Sequence, residues 1–177
     1  MELQDKIKKT IRDVVDYPKP GIIFKDITPV LADPSLLREI VSYLKADLQS
    51  QKIDAIAAVE ARGFILGSIL AHEIGCSFIP VRKAGKLPYK TVRQEYSLEY
   101  GKAAIEIHAD AIKPGSNVLI HDDLLATGGT AGAAAQLIKN QGGVICGFSF
   151  LINLSFLPGE KILNDAFGVK PGYLISY

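Results

Sequence analysis

The 177-residue chain has little that could serve as a covalent staple, a membrane anchor or a field for nucleic acid. Its two cysteines, Cys76 and Cys146, form no CxxC pair and stand in no Cys/His spacing. That excludes a disulfide framework or a zinc cluster and leaves both as small buried hydrophobes. Charge of neither sign dominates: 20 Lys and Arg against 19 Asp and Glu leave a net +1. No global field is therefore available to hold a nucleic acid or an anionic membrane, and any anion site has to be local. The longest apolar-leaning stretch, 144–157, is broken by Ser149, Asn153 and Ser155, and the charged start MELQDKIKKT lacks an apolar signal core. Neither spans a bilayer nor directs secretion, so a cytoplasmic protein without membrane or nucleic-acid partners is expected, and the Asn153-Leu154-Ser155 sequon carries no meaning there. No GxGxxG and no GxxxxGK[ST] occurs, which leaves a Rossmann cofactor and a P-loop nucleotide without support. Internal repeats and low-complexity segments are also lacking.

What is present is an ordinary globular composition, 48% hydrophobic and 22% charged, at a length of about one domain. A chain this long buries roughly 70% of its unfolded surface without help from metal or disulfide. Leu3, Ile7, Ile11, Val14 and Val15 recur at helical spacing and predict a helix over 3–15, stopped by Pro18 and Pro20. A short extended piece over 22–24 follows. A second helix is predicted over 34–50, with Leu36, Leu37, Ile40, Tyr43, Leu44 and Leu48 on one face. The period then changes. Nearly unbroken apolar runs over 53–59, 77–81, 117–121 and 144–151 read as strands covered on both faces, with helices over 63–74 and 128–141 between them. Such alternation predicts one α/β domain over 1–177, with a central, mostly parallel twisted sheet flanked by helices. Residues 83–104 gather Lys83, Lys86, Lys90 and Arg93 without a sustained apolar period and read as a long mobile loop leading into a strand near 103–107. Residues 159–177 read as a closing helix and strand.

The most informative run is Val118-Leu119-Ile120-His121-Asp122-Asp123-Leu124-Leu125-Ala126-Thr127-Gly128-Gly129-Thr130. A buried strand delivers two carboxylates at its carboxyl end, where ligands bind in open α/β sheets, and a small-residue loop then opens a helix. Unpaired N–H groups over 126–130, with the hydroxyls of Thr127 and Thr130, form an anion cradle in which Gly128 and Gly129 let the backbone approach closely. Asp122 and Asp123 would repel that anion, so they face hydroxyls or a divalent cation shared with the ligand. Strand-end carboxylates and a glycine-tightened turn each have an ordinary reading. Their succession on one buried strand describes a ribose 5-phosphate.

This run resembles the phosphoribosyl pyrophosphate signature of the purine phosphoribosyltransferases and looks most like that of their adenine-specific members. Val59-Glu60-Ala61-Arg62-Gly63-Phe64 is similar to that family's pyrophosphate loop. The stretch over 17–27, Tyr-Pro-Lys-Pro-Gly-Ile-Ile-Phe-Lys-Asp-Ile, resembles its purine-side segment. Arg82-Lys83-Ala84-Gly85-Lys86-Leu87-Pro88 and Tyr96-Ser97-Leu98-Glu99-Tyr100-Gly101 resemble its flexible catalytic loop. The resemblance spans about residues 14–155, in the family's order.

It implies a type I phosphoribosyltransferase fold with a small purine-side hood over 1–33 and a flexible loop over 83–101. It implies transfer from phosphoribosyl pyrophosphate to adenine with Mg²⁺, giving AMP and pyrophosphate, by a homodimer. Position by position, Ala126, Thr127, Gly128, Gly129 and Thr130 would hold the 5-phosphate, and Asp122 and Asp123 the ribose hydroxyls, directly or through Mg²⁺ and water. Glu60, Ala61 and Arg62 would bind pyrophosphate, joined by Arg82, Lys83 and Lys86, in part across the dimer. Ile23 and Lys25 would read adenine through backbone groups with Phe24 nearby. Glu99 would exchange the purine proton, and Tyr100 would shape the closed loop.

Two positions depart from the family pattern. His121 stands where an aliphatic residue is usual, either as a buried, neutral, hydrogen-bonded core residue or as a group that tunes the acidic pair. Lys25 stands where Arg is frequent, which matters only if the side chain itself meets the ligand. His72 and His108 read as structural or surface residues. A regulator that senses phosphoribosyl pyrophosphate and binds DNA would need an added module that the near-zero charge does not suggest. Preference for a different 6-substituted purine stays open, because backbone geometry decides it.

Overall fold

Ile7 is fully buried in the helix that the amino-terminal periodicity predicts, but that helix ends sooner than expected. In the computed structural model, which describes residues 1–98 and 101–177, α1 covers Leu3–Thr10 and the next residues form a strand, β1 (Arg12–Val15). Val14 and Val15 fit helical spacing only by coincidence. They are β-branched, and pairing with β2 (Ile23–Asp26) supplies the backbone partners, with Val14 opposite Phe24 and Val15 opposite Ile23. The turn between them has Gly21 at φ +87°, and its N–H donates to Asp16 Oδ1 over 2.8 Å. α2 (Thr28–Leu31) and α3 (Pro34–Leu48) follow. Asp33 Oδ1 caps α3 by accepting the N–H groups of Ser35 and Leu36 at 2.9 and 3.0 Å. The chain divides at this point: Met1–Asp47 form one unit, and Leu48–Tyr177 form another.

The second unit is a seven-stranded sheet. Its elements are β3 (Ala55–Val59), α4 (Gly63–Ile74), β4 (Ser77–Lys83), β5 (Thr91–Leu98), β6 (Gly101–His108), β7 (Asn117–Leu125), α5 (Gly129–Asn140), β8 (Val144–Asn153), α6 (Gly159–Phe167) and β9 (Gly172–Ser176). The spatial order is β5-β6-β4-β3-β7-β8-β9. The five strands from β4 to β9 in that order run parallel, whereas β6 is antiparallel to both β4 and β5. The predicted mostly parallel sheet is therefore present. Small residues in β3, all five buried, let helices sit close on both faces. Ala57 and Val59 join Ile120 and α5 residues Ala131, Ala134 and Leu137 in one core. Ala58 and His121, one residue out of step and so on the other face, meet Gly67 of α4.

Two expectations need correction here. The segment read as a mobile loop over 83–104 is largely a β-hairpin, with β5 paired to β6 from Thr91 opposite His108 to Leu98 opposite Gly101. Its alternation, Val92 and Tyr96 packed on the core and Arg93 and Glu95 exposed, is a period of two diluted by charge. The strand expected over 117–121 runs on to Leu125, because the ladder to β8 continues through Asp122 opposite Phe150 and Leu125 opposite Asn153. The two acidic residues are thus inside a strand.

Because β4 lies on one side of β3 and β7 on the other, the order of connections reverses at β3. A crevice at the carboxyl ends of β3 and β7 follows from that reversal. Helix-to-sheet distance there is set by glycine. A Cβ on Gly67 would lie 2.7 Å from the Ala58 Cβ, whereas one on Gly132 would meet nothing closer than 3.5 Å. Gly67→Ala should therefore destabilise the fold by about 1–3 kcal/mol in urea titrations. Gly132→Ala should stabilise it by up to about 1 kcal/mol through helix propensity.

Candidate active site

The turn after β3 carries the first group of predicted residues. The Glu60–Ala61 peptide is cis. The Glu60 carboxylate accepts the Lys83 N–H at 2.6 Å and Arg82 Nε at 3.0 Å, while Arg82 Nη1 donates to the Lys86 carbonyl at 2.9 Å. Burial alone would raise the Glu60 pKa, but the Lys83 N–H and the Arg82 guanidinium outweigh it and hold it below the ordinary carboxylate value. Sequence placed Glu60 among the pyrophosphate ligands. Its side chain ties the turn to the end of β4 and orients Arg82. Arg62 precedes α4, with Nε 3.0 Å from Asp123 Oδ2. Gly63 opens that helix against β7 so tightly that a Cβ would lie 2.8 Å from Asp122 Oδ1 and 3.0 Å from its Cα.

The second group lies at the end of β7. Asp122 is half-buried and Asp123 is only 3% exposed, and the Asp123 N–H donates to Asp122 Oδ1 over 2.8 Å. Burial and then the Asp123 charge push the Asp122 pKa well above its usual value. Burial pushes Asp123 the same way, with Arg62 pulling it back. Two desolvated carboxylates that one guanidinium only partly offsets suit a hard divalent cation such as Mg²⁺. No set of three or more His, Cys, Asp or Glu among the described residues could hold a metal. Such an ion would take its remaining ligands from substrate oxygens and water.

Immediately beyond, a cavity of about 80 Å³ is lined by Asp122, Ala126, Thr127, Gly128, Gly129 and Thr130, with apolar floor residues. That is room for one small polar group, well below the 300–1,000 Å³ typical of a whole ligand pocket. Gly128 has φ +81°, a conformation that strains any residue with a Cβ. A larger cavity of about 680 Å³ over Phe156, Glu160 and Lys170 contains none of the predicted residues.

Sequence reasoning missed two supports of the cradle. A Cβ on Gly159, the first residue of α6, would collide with the Ala126 carbonyl and lie 3.0 Å from Gly128 N. Nothing in the sequence marks that glycine. The other support is Tyr96, whose hydroxyl accepts a hydrogen bond from Thr130 Oγ1 at 3.3 Å. The purine-side residues sit on β2 in the first unit: Ile23 is 52% exposed, Phe24 meets the Tyr17 ring edge-on at 5.2 Å, and Lys25 Nζ is bound to Asp13 Oδ1 at 2.7 Å. Glu99 and Tyr100 lie outside the described residues. His121 is fully buried, and burial lowers its pKa to about 4, so it is neutral as expected. A Ser149 backbone group draws the value partly back up, although neither ring nitrogen meets a partner at close hydrogen-bond geometry. Cys76 and Cys146 are half-buried, and burial raises both thiols, Cys146 to about 11.

Asp122 of β7 and the glycine-rich turn that follows the acidic pair line one small cavity at the start of α5. The chain belongs to the phosphoribosyl transferase family, whose domain model matches residues 27–155. It is similar to the adenine phosphoribosyltransferase of Cytophaga hutchinsonii, with 55% identity over 161 residues that cover 91% of this chain and 89% of the relative. The crystal structure of the adenine phosphoribosyltransferase from Thermoanaerobacter pseudethanolicus superposes with a TM-score of 0.95 at 48% identity, covering 99% of this chain and 100% of that one. The Saccharomyces cerevisiae adenine phosphoribosyltransferase, complexed with a dideoxy-imino-altritol bisphosphate and adenine, gives a TM-score of 0.89 at 36% identity over 97% of each chain.

The raised Asp122 pKa has a sign that can be checked. The folded state holds this proton more tightly than the unfolded chain, so metal-free, ligand-free protein loses stability as pH rises from the ordinary value of 3.8 through the folded one. Asp122→Asn should raise the melting temperature at pH 8 and leave it nearly unchanged at pH 4, with about 2–4 °C for each kcal/mol relieved. Scanning calorimetry at the two pH values measures it.

Proposed function

We propose that the chain catalyses the Mg²⁺-dependent transfer of a 5-phosphoribosyl group from phosphoribosyl pyrophosphate to adenine, releasing AMP and pyrophosphate. The observation that carries this reading is the anion cradle over 126–130 opening directly from the strand that bears Asp122 and Asp123. It is supported by the identity of the Cytophaga relative and by the adenine that accompanies a bisphosphorylated imino sugar in the yeast one.

The reaction passes through a sugar with cationic, oxocarbenium-like character, so the protein needs no covalent intermediate. It has to bind the departing pyrophosphate, hold the purine in line and exclude water from a reactive carbon. Ala126, Thr127, Gly128, Gly129 and Thr130 hold the 5-phosphate through backbone N–H groups and hydroxyls. Asp122 and Asp123 hold the ribose hydroxyls and share the metal. Mg²⁺, when bound, neutralises charge on the pyrophosphate. The backbone of 60–62 and the Arg62 guanidinium receive the pyrophosphate, with Arg82, Lys83 and Lys86 adding positive charge in part across a homodimer. The Glu60 carboxylate keeps Arg82 aimed rather than meeting the ligand itself, which its bond to Arg82 Nε supports. Ile23 and Lys25 read adenine by backbone groups, beside Phe24. The engagement of Lys25 Nζ with Asp13 leaves Lys for Arg of little consequence there. As N9 bonds to the sugar, Glu99 takes the proton leaving the imidazole ring, and Tyr100 shapes the loop around it. The chain acts as a single phosphoribosyltransferase domain in the cytoplasm. No helix among the described residues is long and apolar enough to cross a membrane.

Incubation with phosphoribosyl pyrophosphate, Mg²⁺ and each purine tests the assignment. AMP should form from adenine. Turnover of hypoxanthine or guanine without adenine would refute it. Glu99→Gln should lower kcat by ~10² or more, with phosphoribosyl pyrophosphate affinity little changed. Arg62→Ala should weaken pyrophosphate and phosphoribosyl pyrophosphate more than AMP, as titration calorimetry would show. Equal losses for all three would make Arg62 a support of the fold.

A further inference from the structure

β5 is an edge strand, held by a backbone ladder to β6 alone. Its position over the sheet therefore depends on side chains that reach α5 and the core beneath. Val92 and Tyr96 pack on that core, and Gln94 Oε1 accepts a bond from Asn140 Nδ2 at the end of α5 at 3.5 Å. Tyr96 differs from the other anchors in what its polar end touches. Its hydroxyl meets Thr130 Oγ1 in the second residue of α5, and Thr130 lines the 80 Å³ anion cradle.

A threonine hydroxyl has one hydrogen to give and two lone pairs. With the cradle free, that hydrogen points to Tyr96. A phosphate dianion competes for it, and a charge-assisted bond is roughly twice as strong as a neutral one. Thr130 can then keep its contact with Tyr96 only by accepting the phenolic O–H, a reversal that needs no heavy atom to move. The result is a chain in one direction, Tyr96 O–H to Thr130 O–H to phosphate, in which each bond polarises the next. Tyr96 stands three residues ahead of Glu99.

Resting on the phosphoribosyltransferase reading above, we propose that Tyr96 is a positioning residue that couples occupancy of the 5-phosphate cradle to the placement of β5, the strand leading into Glu99. The strand is fastened most firmly when a phosphoribosyl group is bound.

The test uses the full chain and Tyr96→Phe, which keeps the packed ring and removes only the hydroxyl. Hydrogen–deuterium exchange is followed with and without saturating ribose 5-phosphate. In the wild-type protein the sugar phosphate should slow exchange over both 126–132 and 91–98. In Tyr96→Phe it should slow the first segment only. kcat for AMP formation should fall about two- to tenfold, the worth of one net hydrogen bond, while KM for phosphoribosyl pyrophosphate changes less. Thr130→Val added to Tyr96→Phe should produce no further loss of protection over 91–98. Equal protection of 91–98 in wild type and Tyr96→Phe, or none in the wild type, would overturn the proposal. A merely structural tyrosine would shift the melting temperature and leave ribose 5-phosphate protection of 91–98 intact. Coupled protection in a wild-type protein that does not turn over adenine would support the tyrosine's role and overturn the substrate assignment instead.

Discussion

Two carboxylates on consecutive residues of a buried strand cannot both hold a full charge at ease, and the site is organised around what relieves them. Asp122 and Asp123 are desolvated, face each other's charge and have the Arg62 guanidinium as a partial counterion. Burial pushes both carboxyl pKa values upward in the empty protein. Ribose hydroxyls and a divalent cation would relieve the same strain, by donating to those oxygens or neutralising them. Burying both carboxyls costs folding free energy, a common arrangement where function and stability pull apart.

The second constraint is spatial. The groups that would meet pyrophosphate, ribose and phosphate come from different connections, and they converge only because backbone is allowed to touch backbone. Gly63 brings α4 against Asp122, and Gly159 brings α6 against Ala126 and Gly128. Gly128 supplies a left-handed turn between strand and helix. A methyl group at any of these would displace a wall of the cradle, and no side chain elsewhere could compensate. The Glu60–Arg82 ion pair, with the Lys86 carbonyl accepting from the guanidinium, plays the complementary part at the end of β4, where a buttressed guanidinium retains its direction better than a solvated one.

Much of this was legible in the residues themselves. The parallel strands declared themselves as short, continuous apolar runs, and α4 and α5 fall where the pattern placed them, within a residue at each end. The turn from β7 into α5 was legible because glycines and hydroxyl residues after a buried apolar run have narrow uses in that order. Misreadings arose where two signals overlapped. Val14 and Val15 match a helical period but take their backbone partners from Phe24 and Ile23. In β5 the alternation is carried by Val92 and Tyr96 between charged neighbours, and pairing to β6, not composition, makes it a strand. His121 was legible as buried and neutral.

The sequence by itself determined the class of sheet, the strand that bears the acids and the chemistry of the loop after it. These depend on interactions among residues close in the chain, where period and residue type suffice. Only the tertiary structure decided that Glu60 turns to Arg82 and Lys83, that Gly159 closes on Ala126 and Gly128 and that Tyr96 reaches Thr130. Each of those contacts joins positions 22 to 34 residues apart. Such pairs leave no local pattern, because the packing of whole strands and helices sets which distant atoms meet.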